Sequence, residues 1–308
     1  MSSGRRVAII TGANAGVGRA TAHRLASPPH RMHVILACRS DSRGQAAADT
    51  IRRAVPDASV ECVPLDLSSS ASIDACAERI LALHEAIDIL VNNAGRGGVP
   101  APMEALHDGS DAIYVTNFVG HFRLTLRLMP ALARAPTSRV VNLSSVMARF
   151  GDPQGWEASL RFRPGTSTYA TSKLALAVFS AELGRRASTL GAPRLTAVSV
   201  NPGAVNSDIW YRGQLPWPID LLASVVFRLL FLTTAQAAEV VAGAATIDGN
   251  QLGTYFCPYR TPKWMPMPFE LHGPFAGLQE CSPHPAVAMS SYGAALWRVT
   301  ARFCGLDG

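Results

Sequence analysis

An α/β fold built on one doubly wound parallel sheet is predicted by three features of this 308-residue sequence. Short strand-like runs alternate with longer helix-like segments along most of the chain. Most of these runs are continuously apolar, which is typical of strands buried on both faces. The first run leads directly into a glycine-rich turn, Thr11–Gly18, and then a helix-like segment. Together these features predict a Rossmann fold of about seven strands with helices on both faces.

The elements follow from apolar runs, helical composition and breakers, such as Pro28-Pro29 after the first helix. Strands are predicted at Val7–Thr11, His33–Arg39, Val60–Asp66, Ile87–Asn92, Arg139–Ser144, Leu195–Asn201 and Gly253–Pro258. Helices are predicted at Val17–Ala26, Ser42–Ala54, Ser70–His84, Asp108–Arg134, Thr168–Leu190 and Thr234–Ile247.

Residues 1–308 are predicted to form a single Rossmann-type domain. Residues 204–232 interrupt the alternation with Trp210, Tyr211, Trp217 and an apolar run that is too short to span a membrane. We interpret them as a substrate lid, with dimer or core packing and a membrane-dipping patch as alternatives. Residues 259–308 are predicted to be a C-terminal extension packed on the domain.

Charge and cysteine usage exclude several classes of protein. The net charge of +6 is scattered and contains no basic run, so nucleic-acid binding is not expected. The six cysteines form no C-x-x-C, so we predict no metal site, no disulfide framework and reduced thiols. No leader precedes the first strand, so a cytoplasmic protein without a transmembrane span is expected.

The glycine-rich turn predicts a phosphate site. Gly12, Gly16 and Gly18 lie between a strand and a helix, where backbone N–H groups and the positive helix end face a pyrophosphate. A glycine turn without a ligand is the alternative interpretation of this motif taken alone.

Tyr169 and Lys173 lie at i and i+4 and therefore share one helix face. A cation about 4 Å from a phenol can lower its pKa by up to roughly three units before desolvation opposes the change. Lys173 can thus make Tyr169 a general acid or base. Taken alone, this spacing is also common on solvated surface helices.

Polar residues close two neighbouring strands. Asn142-Leu143-Ser144-Ser145 ends the fifth strand, and Asn92-Asn93-Ala94-Gly95 ends the fourth. Capping of turns and loops is the structural alternative for both. Asn117 lies in the apolar setting Tyr-Val-Thr-Asn-Phe-Val and needs a hydrogen-bond partner.

With these motifs in this order, the chain resembles the single-domain branch of the short-chain dehydrogenase/reductase family. The likeness runs from Arg6 to about Pro258 and includes Asn201-Pro202-Gly203. It implies that Ser145, rather than Ser144, orients a carbonyl and that Asn117 keeps a water in the proton relay. By the same resemblance, Lys173 holds the nicotinamide ribose beside Tyr169. The further cofactor-binding residues are Gly12, Asn14, Gly16, Val17, Gly18, Asp66, Leu67, Asn93, Ala94, Gly95, Pro202, Gly203 and Val205.

A closer similarity is to retinol-dehydrogenase-like members, including the oxidoreductase domain of WW-domain oxidoreductases. It is carried by Leu36–Arg39, Leu65–Ser68, Asn117–Phe122 and the long insertion before Tyr169. Asn206-Ser207 departs from the threonine frequent after Pro-Gly in the family. This resemblance implies a lipophilic small-molecule substrate, allows a homodimer and allows peripheral membrane contact.

The end of the second strand indicates the cofactor. NAD binders place a carboxylate there, about 20 residues after the glycine motif. Here that end reads Cys38-Arg39-Ser40, and Arg39 can bind a phosphate with a planar fork. We therefore predict NADP(H) in preference to NAD(H), with Arg39 as a cofactor-binding residue and Arg19 as an auxiliary cation.

Two functional hypotheses follow. The first is an NADP(H)-dependent oxidoreductase that transfers a hydride between nicotinamide and a carbonyl or alcohol, with a retinal-like aldehyde or ketone as substrate. The second is a cofactor-binding regulatory or scaffold protein of the same fold with little turnover. The presence of Ser145, Tyr169, Lys173 and Asn117 together favours the first.

Overall fold

One eight-stranded sheet forms the centre of the protein in the computed structural model, which describes residues 4–97, 104–205, 231–249, 253–259 and 275–306. The strands are β1 (Val7–Thr11), β2 (His33–Cys38), β3 (Ser59–Pro64), β4 (Ile89–Asn92), β5 (Ser138–Leu143), β6 (Leu195–Val200), β7 (Tyr255–Tyr259) and β8 (Phe275–Cys281). Their order across the sheet is β3-β2-β1-β4-β5-β6-β7-β8. The chain therefore reverses its winding direction next to β1, and in such sheets ligands bind at the carboxyl ends of the strands.

Helices cover both faces of this sheet, as predicted. They are α1 (Gly16–Ala26), α2 (Asp41–Ala54), α3 (Ser70–Leu83), α4 (Ala112–Tyr114), α5 (Gly120–Arg134), α6 (Trp156–Ser159), α7 (Tyr169–Arg186), α8 (Thr234–Thr246) and α9 (Ser290–Cys304). The predicted helix Asp108–Arg134 begins later, at Ala112, because the Asp111 carboxylate caps it by accepting from the Tyr114 N–H at 2.8 Å. A π-helical turn, Val115–Val119, joins α4 to α5.

Strands β1 to β7 pair in parallel. All of them are almost entirely buried on both faces except β3, the terminal strand of the sheet, which has half-buried and exposed residues. Alternate residues of β1 enter two separate apolar cores: Val7 and Ile9 face one, and Ala8 and Ile10 face the other. This arrangement explains why most of these strands are continuously apolar in sequence. No helix within the described ranges is long and apolar enough to cross a membrane.

The eighth strand and a disulfide are the two corrections to the predicted fold. β8 pairs antiparallel with β7, which places Cys281 opposite Tyr255 and diagonal to Cys257. The two sulfurs are bonded, with Cα atoms 6.2 Å apart across 24 residues of sequence. The prediction of reduced thiols is therefore wrong for Cys257 and Cys281. The pairing of β8 with β7 brings these two cysteines together. The residue pattern of β8 does not predict this pairing.

The C-terminal helix α9 lies against α5 and α7. The Trp297 ring centroid is 5.0 Å from that of Phe122 and 6.1 Å from that of Phe179. The guanidinium of Arg186 stacks 4.6 Å from the centre of the same indole. This aromatic contact attaches the end of the chain to the helix that carries Tyr169 and Lys173.

Candidate active site

The predicted site residues that follow strands all lie at the carboxyl edge of the parallel sheet. Gly12 follows β1, Arg39 follows β2, Asp66 follows β3, Asn93 follows β4 and Ser145 follows β5. The first residues of α7, with Tyr169 and Lys173, reach this edge next to β5. Side chains from distant parts of the sequence thus lie together at the carboxyl edge of the sheet.

The glycine turn forms a close backbone contact between β1 and the segment after β4. Gly12 has a φ of +67°, and a Cβ added there would lie 2.9 Å from the Ala94 Cα. Helix α1 begins at Gly16, so the unpaired N–H groups of its first turn lie next to this glycine turn. An extended anion such as a pyrophosphate can therefore bind along the turn and the helix end.

Thr11 joins the ends of β1 and β4. Its Oγ1 accepts the N–H groups of Asn93 and Ala94, each at 2.9 Å. The Asn93 amide returns a hydrogen bond to the Thr11 carbonyl at 2.7 Å. Asn93 and Ala94 are thus held against the glycine turn, where the sequence predicts the adenosine side of the cofactor.

His121 is a site residue to which the sequence analysis assigned no role. Its Nδ1 lies 2.8 Å from the Asn117 carbonyl and its Nε2 lies 2.9 Å from Thr11 Oγ1. Since a carbonyl only accepts, Nδ1 carries the proton and Nε2 accepts from Thr11. Burial lowers the pKa of His121 to about 4, so this histidine is neutral at pH 7. Its only sequence signal is a polar residue on the buried face of an apolar helix.

Asn117 connects the segment after β4 to α7. It lies in the π-helical turn, fully buried, and its side chain accepts from the Arg96 N–H at 2.7 Å. Its amide donates to the Arg96 carbonyl at 2.9 Å and to Ser172 Oγ at 3.1 Å. The predicted need for a partner is met by this backbone, and water retention by Asn117 stays a prediction.

The ammonium of Lys173 is buried at the end of β5. Its Nζ donates to the Leu143 carbonyl at 2.8 Å and lies 5.8 Å from the centre of the Tyr169 ring. Burial lowers the pKa of Lys173 to about 8. The lysine therefore changes charge within the pH range of ordinary assays.

The two serines at the end of β5 have different contacts. Ser144 Oγ donates to the Lys173 carbonyl at 2.8 Å, which holds α7 against the strand. The Ser145 hydroxyl is hydrogen-bonded to the Tyr169 phenol, and its Oγ accepts from the Met147 N–H at 3.2 Å. Of the pair, Ser145 is the serine beside the predicted proton donor.

Tyr169 is half-buried at the start of α7, and its ring packs closely against Gly97. A Cβ added at Gly97 would lie 2.5 Å from the Tyr169 ring, so this position requires glycine. Burial raises the pKa of Tyr169, and the hydrogen bond with Ser145 acts in the opposite direction. The predicted lowering of the Tyr169 pKa by Lys173 is therefore not what the structure shows: burial raises this pKa, and the Lys173 Nζ donates to the Leu143 carbonyl.

The remaining predicted residues follow β3 and β6, on either side of the residues described above. The Asp66 carboxylate accepts from the Ser68 N–H at 2.9 Å and from the Ser68 hydroxyl at 2.6 Å, which shapes the turn before α3. After β6, Gly203 has a φ of +87° and donates its N–H to Asn201 at 3.1 Å. Val205 pairs with Leu232, whereas residues 206–230 of the predicted lid lie outside the described residues.

Comparisons with known proteins show the family of this chain. A family model described as short chain dehydrogenase matches residues 6–213. Mouse (Mus musculus) retinol dehydrogenase 12 is 37% identical over 258 residues, covering 82% of this chain and 77% of the relative. Mouse polyprenol dehydrogenase is 39% identical over 247 residues, covering 78% and 71%. An uncharacterised protein from Mycobacterium Paratuberculosis superposes with a TM-score of 0.71 at 28% identity, covering 97% and 93%.

A doubly wound sheet with a glycine turn after its first strand is typical of oxidoreductases that use a nicotinamide cofactor. The chain belongs to the short-chain dehydrogenase family and is retinol-dehydrogenase-like within it. Its reaction is therefore hydride exchange between NAD(P) and a CH–OH or C=O group.

Proposed function

We propose that the protein is an NADP(H)-dependent reductase of lipophilic aldehydes or ketones. The position of Arg39 at the end of β2 is the observation that supports NADP(H) over NAD(H). Hydride passes between nicotinamide and the carbonyl carbon, Tyr169 exchanges a proton with the carbonyl oxygen, and Ser145 orients that oxygen. Asn14, Val17, Asn93 and Gly95 would line the bound dinucleotide beside the glycine turn.

The position of Arg39 supports NADP(H). It is exposed directly after β2, and within the described part of the chain its guanidinium has no ion-pair or hydrogen-bond partner. The next residue, Ser40, caps α2, so free N–H groups of a 14-residue helix lie beside it. A ribose 2′-phosphate is the ligand that would use both features, since Arg forms paired charged hydrogen bonds with phosphate.

The substrate class rests on the relatives and on residues 204–232. Retinol and polyprenol, named in the two mouse relatives, are long apolar alcohols. Residues 204–232 contain Trp210, Tyr211, Trp217 and an apolar run after Leu221. A long apolar substrate would match such side chains, whereas a small polar one would gain little from them.

Replacing Arg39 by Asp tests the cofactor preference. We expect Arg39→Asp to raise the KM for NADPH by about 10- to 150-fold, the value of a charged hydrogen bond, and to change the KM for NADH much less. Arg53→Asp is the matched control, because this substitution makes the same change of charge at the far end of α2. Equal affinities of the unmutated protein for NADPH and NADH would contradict the preference.

A homologous series of aldehydes tests the substrate class. With NADPH saturating, kcat/KM should rise about fourfold for each methylene that enters an apolar site, since burial of one CH2 is worth about 0.8 kcal/mol. Retinal and steroid ketones extend the series to branched and rigid carbonyls. A preference for the shortest aldehydes would reject the lipophilic class while leaving the oxidoreductase assignment intact.

A further inference from the structure

Three metal-binding side chains meet at the opposite edge of the sheet from the candidate active site. His33 is the first residue of β2, Glu61 lies in β3 and His84 ends α3 as its C-cap. In the parallel register His33 pairs with Ser59, so Glu61, two residues on, has its side chain on the same sheet face. Helix α3 covers that face, and its end brings His84 to the pair.

Both imidazoles point at one carboxylate oxygen. Glu61 Oε1 lies 2.9 Å from His84 Nε2 and 3.3 Å from His33 Nε2. All three ligand atoms lie within 4.8 Å of one another, and the two rings are 5.0 Å apart at their centroids. Zinc binds such nitrogen and oxygen ligands at about 2.0–2.2 Å, which in a tetrahedron separates the ligand atoms by about 3.3–3.5 Å. The 3.3 Å distance from Glu61 Oε1 to His33 Nε2 falls in that range, whereas the 2.9 Å distance to His84 Nε2 is shorter and would lengthen on metal binding.

We propose that His33, Glu61 and His84 form a Zn²⁺ site whose fourth ligand is water. Two neutral imidazoles and one carboxylate are ligands that zinc accepts, and three protein ligands leave one position open. The His84 side chain is only 7% exposed and Glu61 is 30% exposed, so protein surrounds one side of the cluster and solvent reaches the other. The open position faces that solvent.

Ser59 positions one of the ligands. Its Oγ lies 2.7 Å from His33 Nδ1 and can accept the proton of that nitrogen. The lone pair of His33 Nε2 is then free for a metal. Such a hydrogen bond to the other ring nitrogen typically accompanies a metal-binding histidine and fixes its tautomer.

The proposed zinc site is separate from the hydride-transfer chemistry. β2 is six residues long, so its first residue lies about 17 Å from its carboxyl end, where the cofactor binds. Zinc at the first residue of β2 would therefore connect β2, β3 and α3 without touching the cofactor. The cysteine spacing predicts no metal site, and it carries no information about the histidines. His33 and His84 lie 28 and 23 residues from Glu61, a spacing that no local motif contains.

Metal titration of the chelator-treated full-length protein tests this proposal. We expect calorimetry to find one Zn²⁺ bound per chain, with no comparable binding of Mg²⁺, and Co²⁺ to give the intense visible absorption of a tetrahedral site. Glu61→Gln should weaken Zn²⁺ binding by more than about 100-fold and Ser59→Ala by about 10- to 100-fold. His23→Ala and His107→Ala remove exposed histidines outside the cluster and should leave the affinity unchanged.

Two further readouts complete this test. Carbonyl-dependent NADPH oxidation should be the same in Glu61→Gln and in the unmutated protein, which also serves as a folding control. Equal zinc affinity in these two proteins would overturn the proposal, and so would thiolate charge-transfer bands with Co²⁺, since those would place the metal on cysteines. A protein that binds no Zn²⁺ would show that the cluster is only a hydrogen-bonded network around Glu61.

Discussion

Tyr169→Phe is expected to lower kcat for carbonyl reduction by about 10²- to 10⁴-fold, the usual contribution of a general acid. The reason lies in the surroundings of the phenol. Burial raises the pKa of Tyr169, so its hydroxyl is protonated at neutral pH, and the Ser145 hydroxyl lies in hydrogen-bond contact with it. Phenylalanine fills the same space but has no proton to give. Steady-state NADPH oxidation with the best aldehyde of the series measures the effect.

The Tyr169→Phe result is interpretable only if the cofactor still binds. NADPH affinity, measured by fluorescence titration, should change by less than about threefold, and Tyr292→Phe on α9 should behave like the unmutated protein. Full turnover in Tyr169→Phe would exclude this phenol as the proton donor. Tight NADPH binding by the unmutated protein without turnover of any carbonyl would instead favour the cofactor-binding regulator.

The second large effect is a fall in kcat/KM for carbonyl reduction as the pH rises above about 8. Burial lowers the pKa of Lys173 to about 8. In the proposed function, the ammonium is the form that assists Tyr169 and holds the nicotinamide ribose. Above this pKa the charged fraction falls tenfold per pH unit, so a loss of about 100-fold is expected by pH 10. With NADPH saturating, kcat/KM for the carbonyl reports the enzyme–NADPH complex, so its pH profile should follow the pKa of Lys173 in that complex.

The direction of this pH effect separates loss of charge from unfolding. Between pH 8 and the ordinary lysine pKa of 10.5, the unfolded chain holds the Lys173 proton and the folded protein releases it. The contribution of Lys173 to the free energy of unfolding therefore rises with pH in this window. Activity should fall while this contribution to stability grows, which thermal unfolding at each pH can check.

Lys173→Arg supplies the matched comparison for this pH profile. Arginine keeps its charge through this range, so any activity that the variant retains should fall only at higher pH. Lys173→Met should be slow at every pH and should lose the inflection near pH 8. An unmutated profile that stays flat to pH 10 would contradict the assignment of the inflection to this lysine.

Several helices and strands could be predicted because their positions depend on local sequence. β1 lies at Val7–Thr11 as predicted, and α8 ends at Thr246, one residue from the predicted end. Continuous apolar runs mark strands buried on both faces, and the glycine turn marks where β1 passes to α1. The eighth strand escaped prediction because Phe275–Cys281 lacks such a run and is stabilised by its pairing with β7.

The active-site residues show the same division. Spacing alone placed Tyr169 and Lys173 on one helix face, and strand ends alone placed Asn93 and Ser145 at one edge. Spacing does not reveal that Ser144 holds the Lys173 carbonyl while Ser145 contacts the phenol. Such contacts depend on the direction of each side chain within the folded structure.

The sequence by itself determined the order of the elements, the glycine-rich turn and the spacing of the candidate residues for proton transfer, since these depend on neighbours within a few positions. The tertiary structure alone decided the charge state of Lys173, the upward shift of the Tyr169 pKa, the neutral His121 and the meeting of His33, Glu61 and His84. Burial shifts the pKa of each of these side chains, and the residues that bury them lie far away in sequence. The contacts of a buried side chain are decided in the same way, by whatever the fold packs against it.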